Sequence, residues 1–492
     1  MAGSRGVAFL AAAWLLAIGT AAAARDERSD RFAAAAARLL AKKELAGASV
    51  GVAVHSLASG ALYYGRGADV GLAPASNLKL ITLYLAFATL GPDFQFETPV
   101  LADGPLVEGG RLEGNLWVRG SGDPTLRPSF FESEDDSAPL APFVQALQLQ
   151  GVRSVRGDLV VDARAFDGEL IPQGWPRDQL GEEYAAPVSA LGLNGNCVRV
   201  LVSSLRNSAF HSELRPEVSG WRVAHDLTRS NDKNLFKVGL LPPDAKGVLR
   251  LRGSLGDAVR GASVRTTVPD PPLYFGLALH AALARAGISI EGRVRPPGDG
   301  EKLAEKARVL YTRRSPLLPA LVLCGKESDN LIAEQLLRAC AFVRYGHGSL
   351  ANGARLVDEL ARELGLAEQP RRIVDGSGLS RDDVVTPQLL VAVLARAYAA
   401  AWRDDYVRCL PISGVDGTLD RRMNEPAMQY RVRAKTGYIS RVSGLSGYLL
   451  AGDPEGGDVF AFSFLMNGFK GSNAEMKKLQ DDLCRALVSA VK

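Results

Sequence analysis

The sequence predicts an α+β protein whose first and last segments share one sheet and enclose a β-rich insertion. Three observations lead there. Helical apolar patterns fill much of 31–90 and 273–400, whereas 96–269 reads as short strands between Gly, Pro, Asn and Asp clusters. Strand-like alternation occurs early, at 48–55 and 61–64, and returns late, at 429–436, 442–450 and 459–467. A chain of 492 residues, 47% hydrophobic and 23% charged, is long enough for a sizeable core spread over roughly two to four domains.

Residues 1–24 hold one arginine, Arg5, no acid, an apolar run over 7–18 and four alanines before Arg25-Asp26-Glu27-Arg28. That is the shape of a cleavable secretory signal cut after Ala23 or Ala24, too short for a good membrane span. An uncleaved anchor is the alternative. Cleavage removes Arg5 and takes the formal charge from +4 to +3, a balance too mild for a nucleic-acid partner. The expected location is the periplasm.

Next come an amphipathic helix over 31–43 and a hairpin over 48–64 turning at Ser59-Gly60. Residues 73–90 run from Ala73-Pro74-Ala75-Ser76-Asn77-Leu78-Lys79 through an apolar segment to Gly91-Pro92, a buried helix with Ser76 in its first turn. The insertion follows over 96–269, read as two β-rich domains. Pro269-Asp270-Pro271-Pro272 is the boundary at which helices resume, at 273–286, 317–323, 331–345, 354–364 and 387–400. After the late strands a closing helix spans 474–491, with Leu479, Leu483, Leu487 and Ala490 forming one apolar stripe that belongs in a core. The domain plan is thus a signal over 1–24, a split domain over 25–95 and 270–492, and the insertion between.

A serine is a poor nucleophile unless a neighbour takes its proton, and a buried lysine with a lowered pKa can do so. Ser76 and Lys79 are three apart and share a helix face. Ser-x-x-Lys alone says little: Ser230 and Lys233 match it among polar residues with no apolar run behind them. Two further stretches change its weight. Ser328-Asp329-Asn330 enters a helical run, where by itself it would read as a helix cap, and Lys435-Thr436-Gly437 closes the strand-like run 429–436.

Together and in this order the three are the motif set of serine β-lactamases and penicillin-binding proteins. Ser76 would attack a carbonyl carbon with Lys79 as base, and the backbone N–H groups of Ser76 and Tyr438 would hold the oxyanion. Ser328 would relay a proton to the leaving amine while Asn330 orients Lys79 and the substrate amide. Lys435 would keep the site electropositive, lower the pKa of Lys79 and draw in a substrate carboxylate, which Thr436 would bind. Gly437 would let the substrate backbone lie along the strand edge.

Nearly the whole mature chain resembles the low-molecular-mass class C penicillin-binding proteins, the D-alanyl-D-alanine carboxypeptidase/endopeptidase family. Beyond the three motifs, the resemblance is carried by Gly122-Asp123-Pro124-Thr125, Gly174-Trp175-Pro176, Ala186-Pro187-Val188-Ser189-Ala190, Asp375-Gly376-Ser377-Gly378-Leu379-Ser380-Arg381 and Gly414-Val415-Asp416-Gly417-Thr418-Leu419. It implies a transpeptidase-like domain with a five-stranded antiparallel sheet flanked by helices, interrupted after the Ser-x-x-Lys helix by two extra domains. It further implies cleavage of the terminal D-Ala-D-Ala bond of peptidoglycan stem peptides, cleavage of D-alanyl-diaminopimelate cross-links, and covalent capture of β-lactams.

For the diaminopimelate end, the resemblance implies Asp178 on the amine, Tyr184 packed on the chain and Arg381 on the carboxylate. The spacing around Asp178 differs by about one residue from the family, so Glu182 and Glu183 stand as alternatives, and a structural ion pair is the alternative for Arg381. No cofactor is implied. The five histidines are scattered away from the motifs, which gives metal hydrolysis little support, and the five cysteines show no metal spacing; their odd number leaves at least one without an intramolecular partner. A peripheral association with membrane or wall fits the resemblance, and the oligomeric state is open. The competing readings are a non-catalytic wall-binding protein of the same fold, which intact Ser76, Lys79, Ser328, Asn330 and Lys435 argue against, and a β-lactamase, for which no deacylation base stands out.

Overall fold

The structure is a computed structural model that describes residues 27–205, 209–451 and 457–491; the expected signal segment lies outside the described residues. One five-stranded antiparallel sheet gathers both ends of the chain, in the order Val432–Ile439, Val442–Ala451, Asp458–Asn467, Ser49–Ser56, Leu62–Arg66. Period-two burial divides its side chains between two cores. Phe460, Phe462, Phe464 and Met466 point to one face together with Val52 and Val54, where they meet Phe32, Ala36 and Leu40 of helix Glu27–Leu40 and the stripe of helix Asn473–Val491. Leu479, Leu483, Leu487 and Ala490 are all buried in that core.

Ala53, Ala461 and Leu465 face the other way, against a helical layer centred on Lys79–Leu90. This helix is buried continuously from Lys79 to Phe87, because it is apolar on every side and passes between helices Asn330–Tyr345, Leu317–Lys326 and Pro387–Tyr398. It ends at Gly91, which donates its N–H to the Phe87 carbonyl and takes a φ of +86°, a backbone conformation open to glycine, before Pro92 prevents the helix from continuing. Among the described residues no helix is long and apolar enough to cross a membrane. All five cysteines are buried and unpaired.

The insertion leaves and rejoins this body through one pair of strands, Gln95–Ala102 antiparallel to Arg308–Pro316. Inside it, several short sheets share one cluster of buried side chains that runs from Val100 to Leu310. The pairing is mixed: Leu116–Arg119 runs parallel to Leu159–Asp162, and Arg222–Ser230 parallel to Val248–Gly256.

Two sequence expectations shift here. The proline-rich stretch at 269–272 does not mark the return to the terminal-segment unit, because helix Pro271–Arg285 buries Tyr274, Phe275, Ala278 and Leu279 in the insertion's core. The prolines instead start that helix, with Asp270 capping Leu273 N at 3.0 Å. The return comes at the strand Arg308–Pro316, which leads directly into helix Leu317–Lys326. Likewise Lys435-Thr436-Gly437 does not close its strand but lies within Val432–Ile439, on the outer edge of the sheet.

Candidate active site

Ser76 lies in a single 3₁₀ turn, Ala75–Leu78, that runs on into helix Lys79–Leu90. The turn begins with Ala75 at φ +48°, an uncommon conformation for a residue with a β-carbon. Two contacts fix it. Gly378 sits against the Ala75 carbonyl, and Gly437 approaches so closely that a β-carbon there would come within 2.5 Å of Asn77 Nδ2 and 2.9 Å of the Pro74 carbonyl oxygen. The glycine at 437 therefore serves the approach of the edge strand to the serine turn.

Lys79 Nζ lies 3.0 Å from Ser76 Oγ and donates to Asn330 Oδ1 at 2.7 Å and to the Ser377 carbonyl oxygen at 2.7 Å. Complete burial pulls its pKa below the usual lysine range, while the nearby carboxylates of Asp375 and Asp329 act in the opposite direction. Lys435 is equally buried, donates to its own neighbour's carbonyl at Thr436 (3.0 Å), and is pulled further down, first by burial and then by the charge of Lys79. The lowering of Lys79 that the sequence reading assigned to Lys435 thus has burial as its main cause.

Asn330 is the first residue of helix Asn330–Tyr345 and bridges two bodies of the protein, accepting from Lys79 and donating Nδ2 to the Tyr184 carbonyl at 2.8 Å. Asp329 before it caps Ile332 N at 2.9 Å. Ser328 stands at φ +62° at the mouth of this loop, with no hydrogen bond of its hydroxyl to Ser76 or Lys79 among the described residues. Thr436 Oγ1 donates to Thr418 Oγ1 at 2.8 Å, and Tyr438 is 53% exposed one residue beyond Gly437.

The motif residues Ser76, Lys79, Asn330, Lys435, Thr436 and Gly437 come together. The residues expected around the far end of the substrate are more loosely placed. Asp178 is exposed on the turn Arg177–Gln179, and Tyr184 turns its hydroxyl to Gln179 Oε1 at 3.1 Å. Of the two alternatives to Asp178, Glu183 is paired with Arg265 at 3.3 Å and Glu182 is exposed. Arg381 donates to the Ser440 carbonyl at 2.5 Å, which ties it to the loop after the edge strand.

Sequence reasoning missed the supports beneath these groups. The Asp375 carboxylate accepts from Ser377 N (3.0 Å), Gly378 N (2.6 Å), Ser380 N (2.8 Å) and Trp175 Nε1 (3.0 Å), fixing the loop whose Ser377 carbonyl faces Lys79. Glu334 accepts from Gly376 N at 2.8 Å in the same loop; burial and the nearby Asp375 charge push its pKa up to about 8. Arg127 of the insertion pairs with Asp329 at 2.6 Å. Trp175 and the loop 375–381 were visible as family-like stretches, but no local signal announced Glu334 or Arg127.

Lys79 stands within reach of the Ser76 hydroxyl proton, and the strand beside them, Val432–Ile439, is an outer strand of its sheet, where a substrate strand can be added. Comparisons with known proteins agree. A model of the D-Ala-D-Ala carboxypeptidase 3 (S13) family matches residues 32–488. The chain is 34% identical to a D-alanyl-D-alanine carboxypeptidase of Actinomadura sp. (strain R39), over 87% of its own length and 79% of that protein. It is 28% identical to the D-alanyl-D-alanine carboxypeptidase DacB of Haemophilus influenzae, over 82% of each. The crystal structure of penicillin-binding protein 4 from H. influenzae superposes with a TM-score of 0.76 at 26% identity, over 92% of this chain and 99% of that one. The same protein complexed with a novel β-lactam gives a TM-score of 0.71 at 25% identity, over the same shares of the two chains.

Proposed function

Because the chain belongs to the S13 family of D-Ala-D-Ala carboxypeptidases, we propose that it cleaves the terminal D-Ala-D-Ala bond of peptidoglycan stem peptides through an acyl-enzyme on Ser76. The observation that carries this reading is the relay Ser76 Oγ–Lys79 Nζ–Asn330 Oδ1, at 3.0 and 2.7 Å, on an amine that burial biases towards its neutral form.

Lys79 takes the hydroxyl proton as Ser76 Oγ attacks the carbonyl carbon of the penultimate D-alanine. The oxyanion is held by the backbone N–H groups of Ser76 and Tyr438. As the C–N bond breaks, the proton passes from Lys79 by way of Ser328 to the departing amine of the last D-alanine. Water then hydrolyses the ester, with Lys79 again accepting a proton. The substrate lies along the edge strand Val432–Ile439, its carboxylate at Lys435 and Thr436; the incoming negative charge opposes the lowering of the Lys435 pKa and favours its charged form. A β-lactam acylates Ser76 in the same way, but its leaving amine stays tethered in the opened ring.

The same chemistry serves as an endopeptidase when the leaving amine belongs to a diaminopimelate side chain, for which Asp178, Tyr184 and Arg381 are the assigned contacts. The work takes place in the periplasm, reached through the amino-terminal signal segment, with peripheral attachment to membrane or wall.

Mass spectrometry after incubation with a penicillin tests the reading. An adduct on the peptide containing Ser76, persisting for minutes and absent from Ser76→Ala, is expected. No adduct with the antibiotic left intact would favour a wall-binding protein, and no adduct with rapid loss of the antibiotic a β-lactamase.

A further inference from the structure

We propose that Arg127, a residue of the insertion, is a positioning residue for acylation: by clamping Asp329 it holds the Ser328–Asn330 loop in its working shape. The proposal rests on the serine acylation argued above and extends it to a part of the chain that carries none of the three motifs.

Arg127 meets Asp329 with both terminal nitrogens, Nη1 to Oδ2 at 2.6 Å and Nη2 to Oδ1 at 3.5 Å, in a forked arrangement that lysine cannot reproduce. The two side chains are 15% and 22% exposed, so water screens the pair little. Burial would raise the pKa of Asp329, but the guanidinium and the cap to Ile332 N outweigh it and hold the carboxyl ionised. Asp329 Oδ1 is thereby shared between the arginine and the start of helix Asn330–Tyr345.

Asp329 stands between two working groups. On one side Ser328 is kept at φ +62°, a conformation that costs a non-glycine residue and persists only where its surroundings enforce it. On the other, Asn330 reaches Lys79 with its oxygen and the insertion's Tyr184 carbonyl with its nitrogen. The insertion therefore grips this loop twice, at Asp329 through Arg127 and at Asn330 through Tyr184. Without the first grip, Asp329 keeps its cap but loses the lateral restraint that sets where the flanking hydroxyl and amide stand. Arg127 lines a small cavity together with Leu331 and Gln335, and none of Ser76, Lys79, Asn330 and Lys435 is part of that lining.

The test follows acylation of the full-length protein by a chromogenic cephalosporin, comparing wild type with Arg127→Met, Arg127→Lys, Asp329→Asn and the double variant Arg127→Met/Asp329→Asn. Methionine preserves the apolar stem, and asparagine preserves the helix cap. For Arg127→Met the saturating acylation rate should fall about 10- to 100-fold, with the half-saturating concentration within about threefold of wild type. Arg127→Lys should recover part of the loss, and the double variant should be no slower than the worse single one. Two results overturn the proposal: Arg127→Met acylating at the wild-type rate, or a lower melting temperature and fewer titratable sites with the remaining sites reacting at the wild-type rate. Wild type that forms no adduct would instead overturn the serine-acylation reading, and this one with it.

Discussion

The side-chain amine of Lys79 lies 2.7 Å from the backbone carbonyl of Ser377, a group that accepts a proton donor without supplying a countercharge. Burial disfavours the charged form of this amine, and a neutral carbonyl brings no countercharge to offset that cost. The acylation rate should therefore rise with pH along a limb whose midpoint lies below the ordinary lysine range. Stopped-flow acylation across pH measures it. Lys79→Arg, which cannot release its proton, should lose about 100- to 10,000-fold in rate; a rate retained within tenfold would remove Lys79 as the base.

Lys435 should trade stability for activity. It is completely buried and donates to the Thr436 carbonyl, and its pKa is depressed in the folded state. A depressed amine binds fewer protons folded than unfolded, so its burial costs stability at neutral pH, and the cost fades only as pH rises towards the unfolded value. Lys435→Met should raise stability by about 1–3 kcal/mol near pH 7 in a denaturant melt. The same variant should lower acylation about 100-fold.

Glu334 carries the opposite sign. Its folded pKa of about 8 lies above the ordinary glutamate value of 4.5, so the folded protein holds an extra proton between those limits and loses stability as pH rises through that window. Denaturant melts of wild type at pH 5 and pH 8 should show the decline, at most about 1.4 kcal/mol per pH unit from this group. Glu334→Gln keeps an acceptor for Gly376 N and has no proton to lose, so its melts should show a shallower slope. Asp383, also raised by burial and by Asp375, leaves a residual slope of the same sign. An unchanged slope in the variant would place the ionisation elsewhere.

Gly378→Ala should damage the serine turn from a distance in sequence. Gly378 is at φ +78° and packs against the Ala75 carbonyl, so a methyl group meets both a strained backbone and an oxygen that cannot move without Ser76. A loss of about 1–3 kcal/mol in stability is expected, together with slower penicillin labelling of the folded fraction. Wild-type labelling would show that the turn tolerates displacement.

The fold and the reacting groups were legible because each has a local signature. Alternating apolar residues at both ends of the chain marked the shared sheet, and Ser76, Lys79, Asn330 and Lys435 sit in short motifs whose spacing is fixed by the helix or strand that carries them. What escaped is non-local. Pro269 to Pro272 looks the same to the eye whether it divides two units or starts a helix, and only the burial of Tyr274 and Phe275 distinguishes them. Glu334 follows the helical period of its neighbours and reads as an ordinary helix residue, while Arg127 reads as a surface cation; each gains its meaning from a partner contributed by another segment.

The five-stranded sheet places Ser49–Ser56 beside Asp458–Asn467, and the serine turn beneath a strand that contains Lys435. A ribosome completes that strand only after the whole insertion has been made. During synthesis Ser76 is therefore made well before the edge strand that packs against its turn. The Ser76 turn therefore meets Gly437 only when the last strands close the sheet, and the order of manufacture sets the order in which the site is assembled.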